Sequence, residues 1–158
     1  MTAEEIVFWL KEHKLTVATA ESCTGGMLAS AIVDVPGASD CFEEGYVTYS
    51  NAAKEKNLGV SHRTLETFGA VSEETAGEMS CGVRECSGAD FGIATTGYAG
   101  PGGSTADALV GLVFISCAFP GGCETIRCQF DGDRKSVRVQ ATNRALTLLE
   151  KCMQECKI

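Results

Sequence analysis

The run LTVATAESCTGGMLASAI, Leu15–Ile32, changes character halfway along. Leu15–Glu21 is short and β-rich and reads as a strand. Gly25 and Gly26 then open a helix with Met27, Leu28, Ala31 and Ile32 on its apolar side, and Pro36-Gly37 breaks it. A strand feeding a helix through a polar, glycine-bearing turn is a unit of an α/β fold, and the rest of the chain repeats that alternation.

On the N-terminal side, Thr2 and Glu5 form a capping box. Ile6, Trp9 and Leu10 follow at helical spacing, in a helix expected to end near His13. On the C-terminal side, Gly45–Tyr49 reads as a second strand. Ser50 caps a short helix through Leu58, Ser61 caps another ending before Gly69, and Ser72 caps a longer one with Glu73 and Glu74 in its first turn. Asp90–Thr96 is a third strand and Gly97–Ala108 a loop of glycine and small residues. Val110–Phe119 turns at Pro120-Gly121-Gly122 into Glu124–Phe130 as a hairpin. The last helix starts around Asp133, with Val137, Ala141, Ala145, Leu148 and Cys152 on one buried face. The hairpin makes the sheet mixed rather than all parallel. With no internal repeat and no linker, residues 1–158 read as a single domain.

Composition narrows the function. The chain has 158 residues, 44% of them apolar and 22% charged, which suits a globular protein with a sizeable core. A net charge of −8 excludes a general nucleic-acid binder, which needs a basic stripe. Met1–Lys14 mixes acidic and basic residues on an amphipathic helix and does not read as a signal peptide. No apolar run approaches a membrane span. The expectation is a cytoplasmic protein with no membrane partner. The nine cysteines are scattered, odd in number and never spaced C-x-x-C, so most read as small apolar core side chains. Cys152 and Cys156 share a helix face, but neither histidine is near them, and no metal site is expected.

Four polar segments fall at strand ends or in loops, where sites of α/β folds collect. In the first, Glu21, Ser22 and Thr24 lie at the start of a helix, whose free N–H groups favour an anion or a developing oxyanion. Gly25 and Gly26 let a ligand approach the backbone. The competing reading is that Ser22 or Thr24 merely caps the helix. The second, GASDCFEEGYVTYSNAAK (Gly37–Lys54), places Ser39 in a turn, Tyr49 at a strand end and Lys54 one turn into a helix. A serine needs a base to become a nucleophile, and a desolvated lysine can serve. The third, TTGYAGPGGST (Thr95–Thr105), leads a strand into a glycine-rich loop but fits neither the P-loop nor G-x-G-x-x-G. The fourth, FDGDRKSVR (Phe130–Arg138), puts Arg134, Lys135 and Arg138 at a helix start, against the dipole, as expected of groups that grip phosphate or carboxylate; the competing reading is a capping aspartate, Asp131 or Asp133, that salt-bridges Arg134.

Taken together, TAESCTGG, PGAS with YSNAAK, GAVSEETA, TGYAGPGG and GDRKSVRVQA resemble, in order and spacing, the CinA C-terminal domain family, from about Leu15 to Leu149. The resemblance implies a three-layer α/β/α sandwich with a mixed sheet. Because larger members carry an N-terminal domain resembling molybdopterin-binding proteins, this chain is expected to be the stand-alone form. The resemblance further implies hydrolysis of the carboxamide of nicotinamide mononucleotide to nicotinic acid mononucleotide and ammonia, in pyridine nucleotide salvage, with no metal or other cofactor. Homo-oligomers, dimers among them, are expected.

On that reading Ser39 is the nucleophile, Lys54 the base and Tyr49 a relay or orienting group, with Ser22 as the rival nucleophile. If Ser39 attacks, Ser22 and Thr24 hold the substrate or its oxyanion. Glu21, Gly25, Gly26, Thr96, Gly97, Gly100, Gly102 and Gly103 line the substrate, and Arg134 holds a charged group such as phosphate. Residues 104–109 depart from the family pattern. The alternative is therefore a nucleotide-binding or regulatory relative impaired in catalysis.

Overall fold

The computed structural model describes residues 1–102 and 109–156. Strand β1 (Val17–Glu21) is buried at every position and lies at the centre of the parallel half of the sheet. Its residues alternate between two helical layers. Val17 faces a core shared with Ile6, Leu10, Leu28, Ile32 and the apolar face of the last helix, while Ala18 and Ala20 face a second core around Met79 and Val83. A strand covered on both faces has no polar side to show, which is why this run reads as continuously apolar.

The remaining elements follow in alternation. Helix α1 (Ala3–His13) precedes β1, and α2 (Met27–Val33) follows it. A 3-10 turn at Ala38–Asp40 leads to β2 (Phe42–Val47), then α3 (Asn51–Leu58), α4 (His62–Phe68) and α5 (Glu73–Ser87). Strands β3 (Phe91–Gly97), β4 (Leu112–Phe119) and β5 (Gly122–Gln129) and helix α6 (Arg134–Glu155) complete the fold. The sheet order is β2-β1-β3-β4-β5. The pairs β1/β2 and β1/β3 are parallel, and β3/β4 and β4/β5 antiparallel. Helices α1, α2 and α6 cover one face, and α3, α4 and α5 the other. This is the expected three-layer α/β/α sandwich with a mixed sheet. Among the described residues no helix is long and apolar enough to cross a membrane.

Local chemistry explains the boundaries. Thr2 and Glu5 make the capping box at α1, and Ser50, Ser61 and Ser72 each accept a backbone N–H at the head of their helix. Strand β2 begins at Phe42, earlier than the expected Gly45. It is an edge strand whose alternate residues meet solvent, so Glu43 and Glu44 are tolerated inside it and disguise it. Strand β4 begins at Leu112 rather than Val110. Gly111 takes φ +92°, and a Cβ there would stand 1.9 Å from the Phe130 carbonyl oxygen, so the chain must turn before it pairs.

The cysteines correct the sequence reading. Cys23, Cys41, Cys117 and Cys152 are buried, but Cys81, Cys86 and Cys123 are exposed and Cys128 and Cys156 half-buried. The exposed ones sit on the outer face of α5 and on edge strand β5, positions that a chain-wide apolar count cannot separate from the core.

Candidate active site

Strand β1 lies between β2 on one side and β3 on the other, and the carboxyl ends of such parallel strands are where ligands bind in open α/β sheets. Two backbone bonds carry the pairing one residue past the strands. The Ser22 N–H donates to the Thr95 carbonyl at 3.0 Å, and the Thr48 N–H donates to the Glu21 carbonyl at 2.9 Å. Ser22 and Thr48 therefore flank each other where the sheet ends.

Lys54 closes this corner. Ser50 caps α3 by accepting from the Ala53 N–H at 3.1 Å, and one turn on, Lys54 points inward rather than to solvent. It is 1% exposed, and no fully buried side chain among the described residues is larger. Its Nζ donates to the Thr48 carbonyl at 2.8 Å and to the Ser22 hydroxyl at 3.1 Å. Both partners are neutral oxygens. Burial therefore pushes the lysine down from 10.5 to about 8, with the nearby Cys23 thiol opposing only weakly. About a tenth of the lysine is then a free amine at pH 7. Cys23 itself is pushed up to about 11, chiefly by burial, so it stays a neutral thiol behind the turn.

The turn after β1 is built by its neighbours. The Gly25 N–H closes it on the Ser22 carbonyl at 3.1 Å. Helix α2 has glycine at its N-cap and so no side-chain cap of its own. Glu21 supplies the acceptor instead: its carboxylate takes the N–H groups of Leu28 at 2.8 Å and Ala29 at 3.0 Å, and the Thr24 hydroxyl at 2.5 Å. Thr24 also bonds the Thr95 hydroxyl at 2.7 Å. This corrects two sequence readings. The helix N-terminus is filled by the chain's own carboxylate and does not await an external anion, and Glu21 and the Thr24 side chain are buried scaffold rather than substrate contacts. Among the described residues, the N–H groups of Cys23 and Thr24 bond no other residue.

Ser39 is not brought to Lys54. It is exposed, in the 3-10 turn that precedes β2, whereas Lys54 follows the other end of that strand. Six residues of extended chain separate the two ends by about 20 Å. The expected Ser39–Lys54 pairing is corrected accordingly, and the hydroxyl beside the lysine is that of Ser22.

Tyr49 is 62% exposed and accepts from Arg134 Nη2 at 3.0 Å, so it faces the rim rather than the lysine. Arg134 Nη1 donates to the Gly100 carbonyl at 2.8 Å, tying α6 to the loop after β3. Beside it lie two depressions of about 550 and 420 Å³. The first is lined by Met27, Asp133, Arg134, Lys135 and Arg138, the second by Ala99, Gly100, Pro101, Val110 and Arg134 among others. Thr96, expected to line the substrate, is buried and donates its hydroxyl proton to the Ala70 carbonyl at 2.7 Å, which holds the loop before α5. Gly97 pairs with Val113 at the end of β3, and its missing Cβ leaves room for the Leu112 carbonyl. Gly25, Gly26 and Gly102 reach the surface, and Gly100 is buried. Gly103 lies outside the described residues, as do 104–108 of the departing loop.

Arg138, read from the sequence with Arg134 and Lys135 as an anion-gripping group, is instead bound to the chain's own backbone. Its Nε donates to the Cys23 carbonyl at 3.0 Å and its Nη2 to the Thr24 carbonyl at 2.9 Å. The cation one turn after Arg134, on the same face of α6, was legible, but its carbonyl partners were not. The two histidines are remote from this chemistry. His62 pairs with Glu55 and Glu66, and His13 with the Trp9 carbonyl.

Fold and site together define a three-layer α/β/α protein that holds a buried serine–lysine pair at the carboxyl edge of its parallel strands. The CinA C-terminal domain matches residues 1–153, and the chain belongs to that family. A Clostridium beijerinckii protein provisionally named competence-damage inducible is 50% identical over 151 residues, 95% of this chain. This chain spans 37% of that relative's length. Among solved structures, the competence/damage inducible protein CihA from Agrobacterium tumefaciens superposes with TM-score 0.93 at 40% identity, covering 96% of this chain and 93% of that one. A CinA superfamily protein from Klebsiella pneumoniae gives 0.94 at 36% identity, covering 98% and 96%.

Proposed function

We propose that this chain hydrolyses a pyridine carboxamide, that of nicotinamide mononucleotide, to the carboxylate and ammonia by a serine–lysine mechanism. The observation that carries the reading is the 3.1 Å contact between the Ser22 hydroxyl and a buried Lys54 whose hold on its proton is weakened by burial. Neutral Lys54 accepts the Ser22 proton as Oγ bonds to the carboxamide carbon. The N–H groups of Cys23 and Thr24, on the turn that carries the nucleophile, receive the oxyanion. The lysine then passes its proton to the departing nitrogen, the C–N bond breaks, and ammonia leaves. Water attacks the acyl carbon, Lys54 takes its proton, and Ser22 regains a hydrogen as the acid is released.

Nothing in this sequence of steps calls for a metal. Arg134 and Lys135, at the mouth of the 550 Å³ depression, suit a phosphate and favour a nucleotide over the free base.

The deciding experiment is ammonia release from nicotinamide mononucleotide, set beside free nicotinamide and unrelated carboxamides, with mass-spectrometric mapping of the trapped acyl group. Acylation of the peptide containing Ser22 supports the reading. Tight nucleotide binding without ammonia selects instead a binding module that has lost turnover.

A further inference from the structure

The turn between β1 and α2 is gripped from two sides. Lys54 reaches it from the α3 layer and Arg138 from the α6 layer. Arg138 spends its planar fork on two consecutive carbonyls, those of Cys23 and Thr24, rather than on a carboxylate. Gly25 makes room for it: φ is +56°, and a Cβ there would stand 3.3 Å from Arg138 Nη2.

A trans peptide points its carbonyl and its N–H in opposite directions. Fixing the Cys23 carbonyl on Arg138 therefore turns the Thr24 N–H away from α6, toward the side where Lys54 meets Ser22. A guanidinium on the carbonyl also polarises the peptide and strengthens its N–H as a donor.

We propose that Arg138 is a positioning residue for the oxyanion site: its fork holds the Cys23–Thr24 peptide so that the Thr24 N–H faces the carbonyl attacked by Ser22. The inference rests on the Ser22–Lys54 reading above. Lysine at this position keeps the charge but lacks the rigid planar fork whose two nitrogens, Nε and Nη2, each hold one carbonyl.

The test uses Arg138→Met and Arg138→Lys in the full chain, with two readouts. One is steady-state turnover of nicotinamide mononucleotide; the other is the rate at which a fluorophosphonate labels Ser22. Both variants are expected to lose roughly 10²–10³-fold in kcat, the effect of one oxyanion donor. KM should stay within about threefold, since ground-state binding is untouched. Labelling should slow in parallel, and millimolar guanidinium should restore part of both rates in Arg138→Met. A folded Arg138→Met that labels at the wild-type rate overturns the proposal, whatever the substrate. Should the wild type release no ammonia while labelling still collapses in both variants, the substrate reading fails and the clamp stands. If one variant does not fold, the other carries the labelling comparison.

Discussion

Lys54 and Ser22, 32 residues apart in the chain, meet at 3.1 Å over the ends of two parallel strands, and neither has a charged partner in that contact. A lysine so placed is costly to keep protonated. Its folded value, about 8, lies below the 10.5 of the free side chain, so between these limits the unfolded chain binds more protons than the folded one. Stability contributed at this site therefore rises with pH from about 8 to 10.5, and below pH 8 the full cost, about 3 kcal/mol, is present. Lys54→Met should be more stable than the wild type at pH 7, with the gap shrinking across that window. Denaturant titrations of both proteins at several pH values measure it. Turnover should move the same way: kcat/KM rises to a plateau above an apparent value near 8, and Lys54→Met is inactive at every pH.

The nucleophile is assigned by position. Ser22→Ala is expected to lower turnover by roughly 10³-fold or more, because no other hydroxyl meets the lysine nitrogen. Ser39→Ala, at an exposed turn beyond the far end of β2, should leave turnover close to that of the wild type. Equal and complete losses in both variants would refute this assignment and restore the pairing that sequence spacing suggests.

Much of the fold could be read because its signals are local. Ser50, Ser61 and Ser72 each bond an N–H three residues on, so the cap is visible within one window of sequence. The site was less legible because its contacts are not local. Spacing puts Lys54 one turn into a helix, yet only the sheet decides which end of β2 that helix faces. Glu21 looked like a ligand because a carboxylate at a strand end is polar and conspicuous. Its real task is set by the glycine N-cap of α2, which leaves the N–H groups of Leu28 and Ala29, seven and eight residues after Glu21, without a side-chain cap, an arrangement visible only when α2 is folded back on β1. The role of Arg138 was hidden for a similar reason, its partners lying more than a hundred residues upstream.

Phosphate recognition at the rim predicts a split between substrates. Arg134 is held by the Gly100 carbonyl and the Tyr49 hydroxyl, which aims its guanidinium over the depression shared with Lys135. A charge-assisted bond is worth about 1.5–3 kcal/mol, or roughly 10–150-fold in affinity. Arg134→Ala should raise KM for the nucleotide by an amount in that range and leave kcat/KM for the corresponding nucleoside nearly unchanged. An equal loss for both would mean that Arg134 holds the loop after β3 rather than the phosphate.

The last dependence runs through packing. Helix α5 crosses α3 so closely at Gly82 that a Cβ there would lie 1.9 Å from the Leu58 carbonyl oxygen and 2.9 Å from its carbon. Those are backbone atoms, so relief requires moving α3 itself, and α3 carries Lys54. Overpacking of this kind costs about 1–3 kcal/mol. A displacement of about 1 Å at a reacting group is enough to lower turnover about 10²-fold. Gly82→Ala should therefore lose both stability and activity. Gly77→Ala, on the same helix, is the control: its Cβ would meet Thr125 Oγ1 at an ordinary 3.7 Å. There alanine's higher helix propensity, worth up to about 1 kcal/mol, should leave the protein as stable or more so, with activity intact. Urea unfolding and ammonia release on the two variants decide it, and a Gly82→Ala protein with full turnover would show that the position of α3 does not govern the lysine.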